Sequence, residues 1–406
     1  MTDQPEKVED RRERTALAVF RVFLRLGLTS FGGPIAHLGY FRDEFVVRRR
    51  WLSERSYADL VALCQFLPGP ASSQVGMAIG LSRAGYAGVF AAWAGFTLPS
   101  ALLLVLFALG VGGWGEALAP GALQGLKIVA VAVVAQAVWG MGRSLCPDAP
   151  RLSLMAVAVC VLLVVPGVWV QVGVIVAGGL VGLMLFRQVG DQVHEPLTVA
   201  VSRRAGFLWL GLFFVLLAGL PLAAAALGGQ GLAMVDAYYR AGSLVFGGGH
   251  VVLPLLQAEV VPRGWVGDEV FLAGYGAAQA VPGPLFTFAA YLGASSAGAP
   301  SGWLGGGLAL LAIFAPSFLL VVGALPFWER LRASPRMQAA LAGINAAVVG
   351  LLLAALYDPV WTSAIASPQD FGLALLALVA LMAWKLPPWL VVAGTALAGW
   401  LSSMVF

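Results

Sequence analysis

The chain has 406 residues, of which 60% are hydrophobic and only 11% charged, with a mean hydropathy of +0.88 and a formal net charge of +4. A soluble domain carries about 25% charged residues, so this composition excludes an ordinary soluble enzyme and places most of the chain in a bilayer. The arginines are scattered between apolar runs, which suits membrane loops rather than nucleic-acid binding, and the three cysteines (Cys64, Cys146 and Cys160) have neither disulfide-framework nor metal-ligand spacing.

Met1 to Arg14 is charged and lacks an apolar core or cleavage site, so residues 1–14 are expected to form a cytoplasmic tail rather than a signal peptide. An apolar helix is expected from Ala16 to Ser30, ended by Phe31-Gly32-Gly33-Pro34. The amphipathic segment Ala36 to Val47 carries Arg42, Asp43 and Glu44, and leads into Arg48-Arg49-Arg50-Trp51, an interfacial anchor. Tyr57 to Phe66 and Ser72 to Leu81 read as two half-helices separated by Pro68-Gly69-Pro70. Proline removes a backbone donor and clashes with the preceding turn, so no continuous helix holds that triplet. Ala87 to Gly110, with Pro99 inside it, and Ala122 to Gly142, with Lys127, each exceed the ~20 apolar residues a spanning helix needs. Neither alternates apolar and polar residues as the strand of a membrane barrel would. Leu152 to Val165 and Val168 to Phe186 form a hairpin about Pro166-Gly167. The polar connection Arg187 to Arg204 follows, and then a linking span, Phe207 to Leu227.

The second half replays the first. Ala237 to Val245 leads into Phe246-Gly247-Gly248-Gly249, and Val251 to Val261 is the partner segment. Gln279-Ala280-Val281-Pro282-Gly283-Pro284 stands 214 positions after Gln65-Phe66-Leu67-Pro68-Gly69-Pro70, as Trp265 does after Trp51. Phe271 to Ala280 and Leu285 to Ala294 flank this second break. Trp303 to Leu325 contains Pro316-Ser317, matching Pro99-Ser100. Leu341 to Leu356 matches Leu123 to Val138, with Asn345 where Lys127 stood, and Phe371 to Trp384 and Pro388 to Val405 close the chain. Internal similarity of this kind implies two copies of one unit. Residues 15–187 and 231–406 are therefore expected to be the two transporter repeats, with 188–230 as polar loop and linking helix.

Cytoplasmic loops carry excess Lys and Arg. Arg48, Arg49, Arg50 and Arg55 precede the first break, whereas Arg263 alone, beside Glu259, Asp268 and Glu269, precedes the second. Gly112 to Pro120 has no basic residue, while its counterpart holds Arg330, Arg332 and Arg336. The bias swaps between halves. The expected fold is an all-α polytopic membrane protein of two inverted-topology repeats with broken, half-helix segments. Its N-terminus would be cytoplasmic and its C-terminus external, in the cytoplasmic (inner) membrane of a bacterium. Secondary transporters built this way bind substrate near the midplane between repeats.

With Phe31-Gly32-Gly33-Pro34, Gln65-Phe66-Leu67-Pro68-Gly69-Pro70-Ala71 and their second-half relatives in place, the chain resembles the chromate ion transporter family in its long, two-domain form. The resemblance covers nearly all of the chain after the tail. It implies export of chromate from the cytoplasm and chromate resistance, with sulfate as the natural competitor. The second half departs from the first, with Gly249-His250 in place of Pro34-Ile35 and Asn345 in place of Lys127.

A dianion in a bilayer needs compensation without a trap that prevents release, and half-helix N-termini supply it through free N–H groups and the helix dipole. The candidate substrate-binding residues are Gly32, Gly33, Gln65, Pro68, Gly69, Pro70, Ala71, Ser72, Ser73 and Lys127 in the first half, with Gly247, Gly248, Gln279, Pro282, Gly283, Pro284 and Asn345 in the second. After the first break stand Ala71-Ser72-Ser73-Gln74. After the second stand Leu285-Phe286-Thr287-Phe288, so the first is expected to hold the ligand more strongly. Against these roles stand plainer ones: a tight turn at Pro-Gly-Pro, close helix packing at the Phe-Gly-Gly motifs, capping of freed backbone groups by Gln65 and Gln279, and snorkelling by Lys127. Glu44, Glu259 and His250 are candidates for proton coupling, although the two carboxylates read more simply as a solvated or salt-bridged face with Arg42 or Arg263. No cofactor, nucleotide-binding loop or catalytic constellation is read in the sequence, which speaks against a membrane-embedded reductase. The expected partners are chromate, sulfate as competitor, the lipid bilayer and a second copy of the chain.

Overall fold

The computed structural model describes residues 14–113, 120–165, 167–186, 201–328 and 334–405. The expected tail up to residue 13, residues 114–119 and 187–200 of the two connections, and Arg330 and Arg332 lie outside the described residues. Among the described residues all regular structure is helical. Six helices are long and apolar enough to cross a membrane.

In the first half, α1 (Ala16–Thr29) starts at Thr15, whose hydroxyl accepts from the Ala18 amide, a standard helix cap. Helix α2 (Gly33–Arg42) opens with Pro34 in its first turn and passes into a wide π-helical turn, Asp43–Arg48. Helix α3 (Glu54–Phe66), capped by Ser53, runs to the first break. Helix α4 (Ala71–Gly113) is two arms joined at Ala84 and Gly85, where φ is −140° and +60°. The arms fold back so closely that a Cβ at Gly80 would strike the Gly88 carbonyl. The expected separation of the short Ser72 segment from the long Ala87 span is thus present. Then come α5 (Pro120–Leu145), α6 (Ala149–Val164) and α7 (Val168–Leu185).

Helix α8 (Arg203–Leu227) links the halves, and only 6% of its apolar window is buried, so it lies at the lipid-facing periphery. The second half follows with α9 (Gln230–Leu244), a short turn at Gly249–Val251, α10 (Val252–Val260) and α11 (Asp268–Ala280), which ends at the second break. A single 3-10 turn, Leu285–Thr287, leads into α12 (Phe288–Ala294). Helices α13 (Gly302–Ala324), α14 (Pro335–Ala355), α15 (Pro368–Met382) and α16 (Pro388–Val405) complete the chain.

The halves pack reciprocally. Helix α5 of the first half lies on α16 of the second through Gly125 and Gly399, and α14 of the second lies on α7 of the first through Gly343, Gly178 and Gly182. Small residues let these backbones touch, which is how helices associate where lipid removes the hydrophobic drive between them. Within this packing Gly69, Pro70, Pro282 and Pro284 of the two proline breaks are buried.

Candidate functional site

The two breaks are docked across the halves. The Gly69 N–H donates to the Val245 carbonyl at 2.7 Å, and the Gly283 N–H donates to the Ser30 carbonyl at 2.9 Å. Val245 and Ser30 each stand immediately before a Phe-Gly-Gly motif. Each Pro-Gly-Pro break of one half therefore rests on the Phe-Gly-Gly turn of the other. Both glycines have positive φ, +122° at Gly69 and +98° at Gly283, which disfavours any other residue. Space enforces the same choice. A Cβ at Gly69 would lie 2.6 Å from Ser317 Oγ, and one at Gly283 would strike Ser100 Oγ. Ser100 and Ser317 thus each face the opposite half's break.

The Phe-Gly-Gly turns complete the junction. A Cβ on Gly249 would sit 3.1 Å from Pro34 Cγ, and one on Gly247 would sit 3.5 Å from Asn345 Oδ1, with Met141 and Leu145 alongside. Gly32 and Gly33 have φ of +101° and +77°, with Gly32 exposed and Gly33 half-buried. Met141 also lies beside Gly248.

The chemistry around the breaks is unequal. Pro70 is buried, Pro68 and Ala71 are half-buried, and Ser72, Ser73 and Gln74 are buried. Ser72 Oγ lies 3.4 Å from His37 Nδ1, while Gln74 Nε2 donates to the Pro68 carbonyl at 2.7 Å and so ties the break to its own half-helix. Ser73 Oγ and Gln74 Oε1 have no hydrogen-bond partner among the described residues. After the second break, buried by Pro282 and Pro284, Leu285 and Phe286 bring no polar side chain and Thr287 returns its hydroxyl to the Pro284 carbonyl at 2.8 Å. Gln65 is exposed, whereas Gln279 is half-buried with its Nε2 unpartnered among the described residues.

Lys127 lies apart from this junction. It sits in the second turn of α5, and its Nζ is 3.3 Å from Glu269 Oε1, at the start of α11 in the other half. The pair lines a cavity of about 740 Å3 whose wall includes Gln124, Tyr291, Ser367 and Asp370. Asn345, its sequence counterpart, is at the junction instead. Glu269 was not singled out in the sequence, since the two residues are 142 positions apart.

Glu44 and Glu259 are both buried rather than solvated. Glu259 pairs with Arg263 at 3.0 Å, as the sequence suggested, and also with Arg240 at 3.1 Å. Arg240 in turn holds Asp236 at 2.6 Å. Glu44 pairs with Arg25 and with Arg49 at 2.7 Å. Arg42, the partner suggested for it, bonds Glu54 at 2.6 Å. The π-helical turn that begins at Asp43 carries Arg48 and Arg49 toward Glu44, a register that reading a plain amphipathic segment does not anticipate. His250 Nδ1 lies 2.8 Å from the Tyr275 hydroxyl. Among ionisable or polar residues at the junction, His37, Ser30, Ser100 and Ser317 went unselected. Their signal was the spacing of His37 after Pro34 and the matched Pro-Ser pairs.

The chromate transporter family matches residues 17–183 and again residues 232–400. The chain is 32% identical to the chromate transport protein of Pseudomonas aeruginosa, over 94% of this chain and 91% of that one. It is 29% identical to the probable chromate transport protein of Synechococcus elongatus, over 93% of each. It is also 29% identical to the chromate transport protein of Cupriavidus metallidurans, over 93% of this chain and 90% of that one. No solved structure matches the chain. With both halves matched, and with six helices among the described residues long and apolar enough to cross a membrane, this multi-pass membrane protein belongs to the chromate transporter family.

Proposed function

We propose that the chain is a secondary transporter that exports chromate across the cytoplasmic membrane and so confers chromate resistance, with its two repeats inserted in opposite senses. Membership of the chromate transporter family carries this reading. The swap of basic residues between equivalent loops supports the inverted arrangement, and the reciprocal docking of Gly69 on Val245 and Gly283 on Ser30 supports a site between the repeats.

In this reading the dianion binds at the junction, drawn to the free N–H groups of Ala71, Ser72 and Ser73 at the start of the first half-helix. Rocking of one repeat against the other exposes the site to each side in turn. A negative-inside potential favours outward movement of a dianion, so export needs no nucleotide. Transport of labelled chromate and sulfate into inside-out vesicles tests the proposal. Uptake of chromate, with sulfate competing, is the expected result. Uptake of sulfate alone identifies a sulfate carrier, and uptake of neither removes the oxyanion reading.

A further inference from the structure

Four polar side chains from three elements meet on the first half's side of the junction. His37 comes from α2, Ser72 from the first half-helix, Ser100 from the long arm of α4, and Ser30 from the end of α1. All four are at most 1% exposed. His37 Nδ1 lies 3.4 Å from Ser72 Oγ, and its ring stands edge-on to Phe96 at 5.2 Å. Ser100, one turn beyond Phe96, faces Gly283 of the second break, whose amide is bonded to the Ser30 carbonyl. His37 Nε2, Ser30 Oγ and Ser100 Oγ have no hydrogen-bond partner among the described residues. Buried polar atoms are nearly always paired, so three orphans on residues linked through Phe96 and Gly283 mark a place for something polar.

The fold does not demand this polarity. At the equivalent positions of the second half stand Val245 for Ser30, Val252 for His37 and Phe286 for Ser72, all buried in the same arrangement. Ser100 alone keeps a polar counterpart, the buried Ser317, so at three of the four positions the same backbone holds apolar residues on one side and hydrogen-bonding groups on the other.

We propose that His37 Nε2–H and the hydroxyls of Ser30 and Ser100 form the oxyanion seat, with Ser72 as the positioning residue whose hydroxyl donates to His37 Nδ1. This rests on the oxyanion-transport reading above. With the ring proton on Nε2, Nδ1 accepts from the Ser72 hydroxyl, and Nε2–H is the ring's remaining donor. Neutral donors suit a transported dianion, because they compensate its oxygens without the strong ion pair that would hinder release. The seat touches both breaks: Ser72 follows the first and Ser100 faces the second. Relative motion of the repeats therefore makes or opens it.

The test uses purified full-length protein and inside-out vesicles, with chromate as the probe. The His37→Val variant takes the residue found at the equivalent position and is expected to melt near the native temperature. Its chromate KM should rise roughly ten- to hundredfold, the effect of losing one hydrogen bond to a charged group. Ser100→Ala and Ser30→Ala should each weaken chromate binding, and His37→Gln, which keeps a donor, should fall between. Chromate should raise the melting temperature of the native protein and raise it less in these variants. Unchanged KM and unchanged chromate protection in the folded variants would overturn the seat while leaving chromate transport intact. If the native protein itself neither moves nor is protected by chromate or sulfate, the transport reading fails and the seat with it. Should His37→Val not fold, Ser100→Ala and His37→Gln decide by the same two measurements.

Discussion

Lys127 Nζ lies 3.3 Å from Glu269 Oε1, joining a helix of the first half to one of the second at the wall of a cavity of about 740 Å3. The two side chains are unlike: Lys127 is 10% exposed and Glu269 is 85% exposed. A bridge with one solvated partner contributes about 0–1 kcal/mol to stability, so this pair does little to hold the halves together. Its interest is electrostatic, since an ammonium within an apolar span is costly and tends to be functional.

The two residues should act on chromate with opposite signs. Lys127→Gln removes the attracting charge and is expected to raise chromate KM about tenfold, the equivalent of roughly 1.4 kcal/mol. Glu269→Gln frees that charge from its counter-ion and is expected to lower KM, most at low ionic strength where screening is weak. A purely structural bridge predicts equal losses from both changes. Vesicle transport kinetics at two salt concentrations distinguish these outcomes.

The buried carboxylates should differ in stability. Glu259 lies between Arg240 and Arg263, and Arg240 also holds Asp236, with Arg240, Asp236 and Glu259 at 8%, 6% and 2% exposure. Removing one partner from such a buried set leaves an uncompensated charge, and Glu259→Gln is expected to cost about 3 kcal/mol. The arginines around Glu44 include Arg25 and Arg48, which are 52% and 70% exposed and can return to water. Glu44→Gln is therefore expected to cost only about 1 kcal/mol. Melting of the two purified variants in detergent provides the comparison, and equal losses would refute the ordering.

Local signals and long-range ones differed in how legible they were. Proline and glycine act on their own neighbours, so the breaks at Pro68-Gly69-Pro70 and Pro282-Gly283-Pro284 followed from sequence, as did the separation of Ser72–Leu81 from Ala87–Gly110, though not its place at Ala84 and Gly85. Charge partners are set by packing between distant elements. The residue spacing therefore did not disclose that Lys127 meets Glu269, that Arg25 meets Glu44, or that Arg42 turns instead to Glu54. A single histidine in an amphipathic segment, such as His37, carries little local signal beyond its spacing after Pro34. Only its position under Phe96 and beside Ser72 gives it meaning.

Alanine at the break glycines should be rescued unequally. Both positions have positive φ, and a non-glycine residue held in such a region costs about 1–3 kcal/mol. At Gly69 the new Cβ meets side chains, Ser317 Oγ at 2.6 Å and Gln74 Nε2 at 2.7 Å. At Gly283 it meets Ser100 Oγ and also the Phe96 backbone carbonyl at 3.1 Å, which cannot be trimmed away. Adding Ser317→Ala to Gly69→Ala should therefore recover more of the lost melting temperature than adding Ser100→Ala to Gly283→Ala. Equal recovery would show that conformational strain alone, not space, governs both sites.

The orientation of the repeats makes the last prediction. Arg55, in the first turn of α3, and Gly267, immediately before α11, stand at the starts of the half-helices that lead into the two breaks, and both are exposed. Near the first start stand Arg48, Arg49, Arg50 and Arg55; near the second stand Glu259, Asp268 and Glu269 against Arg263 alone. A positive-inside bias therefore puts Arg55 in the cytoplasm and Gly267 outside. Gly267 has an ordinary φ of −75° and open space where a Cβ would go, so cysteine is tolerated there. In a background lacking Cys64, Cys146 and Cys160, a membrane-impermeant thiol reagent added to intact cells should label the Gly267→Cys protein and not the Arg55→Cys protein. In inside-out vesicles the pattern should reverse. Labelling of both from the same side would mean that the two repeats cross the membrane in the same sense. The reciprocal contacts of Gly69 with Val245 and of Gly283 with Ser30 would then need an axis other than one in the membrane plane.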